Sequence, residues 1–132
     1  MHYLLDTNMC IYIIKKKPSQ VLERLKTFQL SEIGISAITL SELEYGVAKS
    51  SRPDQNREAL IEFLTPLEIL AFDEGASRYY GEIRAHLEKK GKPIGAMDLL
   101  IASHAISLSV PLVTNDIPGF KGIPGLQIEN WV

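Results

Sequence analysis

Cysteine is almost missing from this chain. Cys10 stands alone among 132 residues, so no intrachain disulfide can staple the fold. Its neighbours Met9, Ile11 and Ile13 mark it as a buried apolar residue rather than a reactive thiol. A chain built without disulfides fits a reducing cytoplasm. Long apolar runs are missing as well. The stretch nearest to a membrane span, Leu99 to Val113, is interrupted by Ser103, His104, Ser107, Ser109 and Pro111, whereas a span needs roughly 18 consecutive apolar residues. Asp6 breaks the first apolar run too early for a signal peptide. Positive charge is not in excess either. A formal net charge of -2 provides no general attraction to nucleic acid, so any RNA contact must come from local clusters. Lys15, Lys16 and Lys17 form one, and Lys89, Lys90 and Lys92 another; each also reads as an ordinary solvated helix end. There is no Walker loop, no dinucleotide glycine fingerprint and no Gly-x-Ser-x-Gly elbow. The histidines, His2, His86 and His104, are scattered without metal-ligand spacing.

What is present is an ordinary globular composition, 45% hydrophobic, expected to form one domain over residues 1–132. His2 to Leu5 reads as a short buried strand ending at Asp6, with a turn at Thr7-Asn8 and an apolar helix from Met9 to Lys15. Pro18 opens a helix to Phe28, and Ile33 to Ile35 is a second strand. Ser36 caps a helix to Lys49, and Pro53 starts another through Leu64. Leu67 to Phe72 is a third strand, after which Asp73 caps a long helix with Tyr80, Ile83 and Leu87 at helical spacing. Asp98 is expected to open an apolar helix to Leu108, followed by strands at Val110–Val113 and Leu126–Ile128. Short strands alternating with helices predict an α/β fold with a central, mainly parallel sheet flanked by helices.

In such folds the ligand crevice lies at the carboxyl ends of the strands. Asp6 ends the first strand, Glu42 follows the second, Asp116 follows the fourth, and Asp98 heads the helix feeding that fourth strand. Each has an ordinary explanation. Asp6 can make an Asx turn, Thr39 to Glu42 matches a capping box, Asp98 suits an N-cap, and Asp116 lies in a turn-rich segment. Taken together they suggest convergence at one sheet edge. Crowded carboxylates repel, and a hard divalent cation such as Mg²⁺ or Mn²⁺ resolves the conflict. Such an ion polarises a phosphodiester and makes hydroxide accessible near neutral pH.

The order of several motifs carries more weight than any one of them. These are Leu4-Leu5-Asp6-Thr7-Asn8; Ile35-Ser36 with Glu42-Leu43-Glu44-Tyr45-Gly46; Pro93-Ile94-Gly95-Ala96-Met97-Asp98 with Ile101-Ala102; Leu112-Val113-Thr114-Asn115-Asp116 with Phe120; and Glu129-Asn130-Trp131. In this order and spacing the chain resembles the PIN-domain ribonucleases, and among them the VapC toxins of bacterial type II toxin–antitoxin systems. The resemblance implies a PIN fold and a Mg²⁺- or Mn²⁺-dependent endoribonuclease. It implies that Asp6, Glu42, Asp98 and Asp116 form the acidic quartet. Asp6 and Asp98 would be direct ligands, Glu42 and Asp116 would act partly through water, and Thr114 would be an accessory polar position. It further implies a homodimer and a VapB-type antitoxin that inserts a segment into the active-site groove, with operator DNA contacted only through that antitoxin. The substrate it implies is tRNA, specifically the anticodon stem-loop of initiator tRNA. Two other readings compete: a PIN-like module that holds RNA or protein without cutting, and an α/β phosphohydrolase with Asp6 as nucleophile. The second is disfavoured because Asn8 stands where such phosphatases commonly carry a second aspartate.

Overall fold

The computed structural model describes residues 1–132. Its elements run β1 (Tyr3–Leu5), α1 (Thr7–Lys15), α2 (Ser19–Leu25), β2 (Ile33–Ser36), α3 (Ala37–Lys49), α4 (Pro53–Leu64), β3 (Glu68–Leu70), α5 (Glu74–Lys89), α6 (Ala96–Leu108), β4 (Leu112–Val113), α7 (Ile117–Phe120) and β5 (Ile128–Glu129). A single turn of 3₁₀ helix, Leu30–Glu32, leads into β2. All strand pairs are parallel, in the order β3-β2-β1-β4-β5. The α/β expectation therefore holds, with shorter strands than the apolar runs suggest.

Strand alternation divides the interior into two cores. Leu5, Ile33, Ile35 and Val113 face one side, where α1 to α4 supply Met9, Ile13, Val21, Leu43 and Leu60. Leu4 and Leu112 face the other, where α5, α6 and α7 supply Ile83, Leu87, Leu99, Ile101 and Phe120. Each such buried aliphatic or aromatic side chain contributes roughly 1.5–3 kcal/mol. Gly34 is the exception on β2. A Cβ there would lie 2.9 Å from the Leu70 side chain, so glycine permits β2 and β3 to pack closely under the second core. No helix is long and apolar enough to cross a membrane.

Four local expectations change. The Thr7-Asn8 turn is the first turn of α1, because the Asp6 carboxylate accepts the Met9 N–H and starts the helix two residues earlier. Asp98 is not an N-cap. Gly95 occupies that position, and Asp98 is the third residue of α6, inside its first turn. Thr39 and Glu42 form no capping box, since α3 is capped by Ser36, whose Oγ accepts the Ile38 N–H. The turn-rich segment after β4 contains a further short helix, α7.

Candidate functional site

The strand order places a topological switch between β1 and β4. The chain leaves β1 towards β2 and β3 on one side, then returns to β4 on the other. Connections diverge there, which opens a crevice above the carboxyl ends of the two strands. Asp6 follows β1, and Thr114, Asn115 and Asp116 follow β4, so both strands deliver polar groups to this crevice. The antiparallel run of α6 relative to the strands brings its N-terminal turn, with Asp98, to the same edge. Glu42 arrives on the second turn of α3.

Asp6 is 4% exposed. Its backbone N–H still pairs with the Val113 carbonyl at 3.0 Å, and its Oδ1 accepts from the Met9 N–H at 2.8 Å. Burial raises its pKa to about 6, against the lowering effect of hydrogen bonds from the Thr114 side chain and Met9; the charges of Asp98 and Asp116 raise it further. Asp98 is raised too, first by partial withdrawal from water and then by the charges of Glu42 and Asp116. All four acids are thus within electrostatic reach of one another.

Their side chains are held by different partners. Thr7 Oγ donates to Glu42 Oε1 at 2.6 Å, joining α1 to α3. Asp116 Oδ1 accepts the Gly119 N–H at 3.1 Å and caps α7. Thr114 is fully buried. Its Oγ accepts the Asp116 N–H at 3.0 Å, and the same side chain lies near enough to the Asp6 carboxylate to favour its charged form. As placed, no three acidic, histidine or cysteine side chains form a closed cation cage. The donor set is instead an open, oxygen-only arrangement. That suits Mg²⁺, which characteristically takes one or two carboxylates and keeps several waters. Asn115 adds a second indication. Its Nδ2 donates to the Tyr12 hydroxyl at 2.8 Å, but its Oδ1 is buried with no partner beside Asp116, and such an acceptor is costly to leave unsatisfied.

Sequence reasoning brought the four acids and Thr114 to this edge but missed their supports. Thr7 as the partner of Glu42 lies 35 residues away from it, and no local pattern signals such a pair. Gly119 was also missed: a Cβ on it would collide with the Asp116 carboxylate, so the α7 cap requires glycine at that position. His104, unassigned by spacing, is buried on α6 with its Nδ1 2.8 Å from Ser36 Oγ, and it links the helix carrying Asp98 to the cap of the helix carrying Glu42. The phosphohydrolase reading still finds no second aspartate beside Asp6, since Asn8 stands there in the first turn of α1.

Comparison with known proteins agrees with this geometry. The PIN domain family model matches residues 3–124. The chain is 50% identical to Ribonuclease VapC2 of Rickettsia felis over 132 residues, covering 99% of this chain and 98% of the relative. It is 44% identical to the tRNA(fMet)-specific endonuclease VapC of Salmonella typhimurium, again over 99% and 98% of the two chains. Among solved structures, the VapBC2 complex of Rickettsia felis bound to a promoter DNA fragment superimposes with a TM-score of 0.94 at 48% identity, covering both chains completely. The chain belongs to the PIN-domain family, among the VapC ribonucleases.

Proposed function

We propose that this chain, as a single PIN domain over residues 1–132, is the toxin of a type II toxin–antitoxin pair and cleaves tRNA as a Mg²⁺-dependent endoribonuclease. Mn²⁺ is the natural substitute, since both ions prefer oxygen donors. The observation that carries the reading is Asp6, almost wholly buried at the edge where the other acids stand: burial first, and then the charges of Asp98 and Asp116, raise its pKa to about 6. Retaining that much unfavourable charge in a fold is expected where a cation compensates it. PIN-domain nucleases in general depend on a divalent metal.

In this reading Asp6 and Asp98 hold the ion directly, while Glu42 and Asp116 act partly through water. A bound cation supplies polarisation of the scissile phosphodiester and a lowered pKa for water. The protein's own groups do the rest. Thr114 holds the Asp116 backbone through its Oγ and favours the charged form of the neighbouring Asp6 carboxylate. Thr7 occupies Glu42 Oε1 and leaves Oε2 open to orient a water or accept its proton. The relative named as a tRNA(fMet)-specific endonuclease supports initiator tRNA as the substrate. The structural relatives solved as DNA-bound VapBC complexes support a VapB-type antitoxin as the partner, through which operator DNA is reached, and in this reading the toxin acts as a homodimer in the cytoplasm.

Purified protein incubated with total tRNA tests the reading. Cleavage is expected with Mg²⁺ and not with EDTA, and Asp6→Asn is expected to fold yet remain inert. Activity within a few-fold of wild type in Asp6→Asn would remove that residue from the reaction, and equal cleavage in EDTA would remove the metal.

A further inference from the structure

The acidic site accounts for the carboxylates but not for the basic segment that follows α5. That helix ends in a Schellman cap. Gly91 adopts φ +68°, its N–H donates to the Glu88 carbonyl at 3.0 Å, and the Lys92 N–H donates to the Leu87 carbonyl at 3.0 Å. Pro93 then prevents the helix from resuming. The Lys92 backbone is therefore fixed, not carried on a loose loop.

This cap and α7 wall a cavity of about 390 Å³, lined by Lys92, Pro93, Gly95, Asp98, Pro118 and Gly119 among others. The volume falls within the roughly 300–1,000 Å³ range of small-ligand pockets. Two of these residues belong to the acidic site. Asp98 is one of the four carboxylates, and Gly119 holds Asp116 through its N–H. The cavity thus opens onto the acids from the α5–α6 side. Lys92 is exposed and takes part in none of the five ion pairs, so its ammonium is free. An uncommitted lysine on a fixed backbone is a point charge suited to phosphate. The rings of Pro93 and Pro118 offer apolar walls for a base or ribose.

We propose that this cavity receives a nucleotide of the RNA flanking the scissile bond, with Lys92 contacting its backbone phosphate. The inference rests on the ribonuclease reading above. It makes Lys92 a substrate-positioning residue, one that acts on binding and not on bond cleavage.

Lys92→Gln, Lys92→Arg and Gly122→Leu, each in the full chain free of antitoxin, provide the test. Gly122 lines the same cavity, and a Cβ on it meets nothing within 4 Å, so leucine there fills space without changing charge. Losing one single-strand phosphate contact lowers the salt slope by about 0.7, equivalent to about fivefold weaker binding at 0.1 M salt. Lys92→Gln is expected to raise KM for tRNA by about that factor with kcat within twofold, and Lys92→Arg to restore it. Gly122→Leu is expected to raise KM without altering the salt slope. Binding of a fluorescein-labelled anticodon stem-loop in EDTA reads the same contact independently of cleavage. Wild-type protein that binds this RNA but cuts none would overturn the nuclease reading, and the binding arm would still decide the role of Lys92. Unchanged KM, affinity and salt slope in Lys92→Gln, or an effect of Lys92→Gln with none from Gly122→Leu, would overturn the cavity assignment.

Discussion

Replacing Asp6 by asparagine separates the electrostatic cost of the site from its structural role. The pKa of Asp6 is raised from 3.8 to about 6 by burial, so the folded chain binds this proton more tightly than the unfolded chain does. Below about pH 4 the group is protonated in both states and imposes no charge penalty. Between pH 4 and 6 the unfolded state loses the proton first, and stability falls as pH rises. Above pH 6 both states are ionised and the full penalty applies, about two pKa units or on the order of 3 kcal/mol. Asparagine removes the charge but can still accept the Met9 N–H, since Asn and Asp cap helices about equally well. Some of the gain is offset because the amide is a weaker acceptor for the Thr114 hydroxyl. At pH 7.5 in EDTA, Asp6→Asn is expected to exceed wild type by about 2 kcal/mol in urea unfolding, or roughly 5–10 °C in Tm. The difference is expected to vanish by pH 4. Millimolar Mg²⁺ should then raise wild type and narrow the gap, because a ligand of the folded state stabilises it by mass action. A gap that is the same at pH 4 and pH 7.5, or a variant less stable than wild type at pH 7.5, would refute the reasoning.

Thr7→Val removes the donor to Glu42 without changing any charge; hydrogen bonds to charged groups contribute about 1.5–3 kcal/mol. Steady-state tRNA cleavage is expected to lose about tenfold in kcat, some 1.4 kcal/mol, with KM little changed; a wild-type kcat would mean that Glu42 does not need Thr7. Gly119→Ala forces a Cβ against the Asp116 carboxylate and is expected to lower cleavage at least tenfold while circular dichroism stays native. Gly81→Ala, where a Cβ meets nothing within 4 Å, serves as its unaffected control, and equal activity in both variants would show that the Asp116 cap is dispensable.

Local chemistry in the sequence was enough to place several parts of this molecule. Alternation of short apolar runs with amphipathic segments marks a parallel α/β sheet, because a strand buried on both faces must be apolar and a crossover helix must bury one face. Asp73 at the head of α5, Ser36 at the head of α3 and Pro53 at the start of α4 act through neighbours within three residues, so their roles are legible in order. The positions of Asp6, Glu42, Asp98 and Asp116 near strand ends are legible for the same reason. Which of these acids cap helices was not. Gly95 displaced Asp98 from the cap of α6, and Asp6 took the cap of α1, because the preceding backbone and the sheet register set where each helix begins. The supports of the site were out of reach of any sequence window. Thr7 meets Glu42, Thr114 comes beside Asp6, and His104 meets Ser36 only after β1, β2 and β4 lie side by side and their crossovers bring distant helices to one edge. Hydrogen bonds require heavy atoms within about 3 Å, and for residues dozens of positions apart only tertiary packing sets that distance.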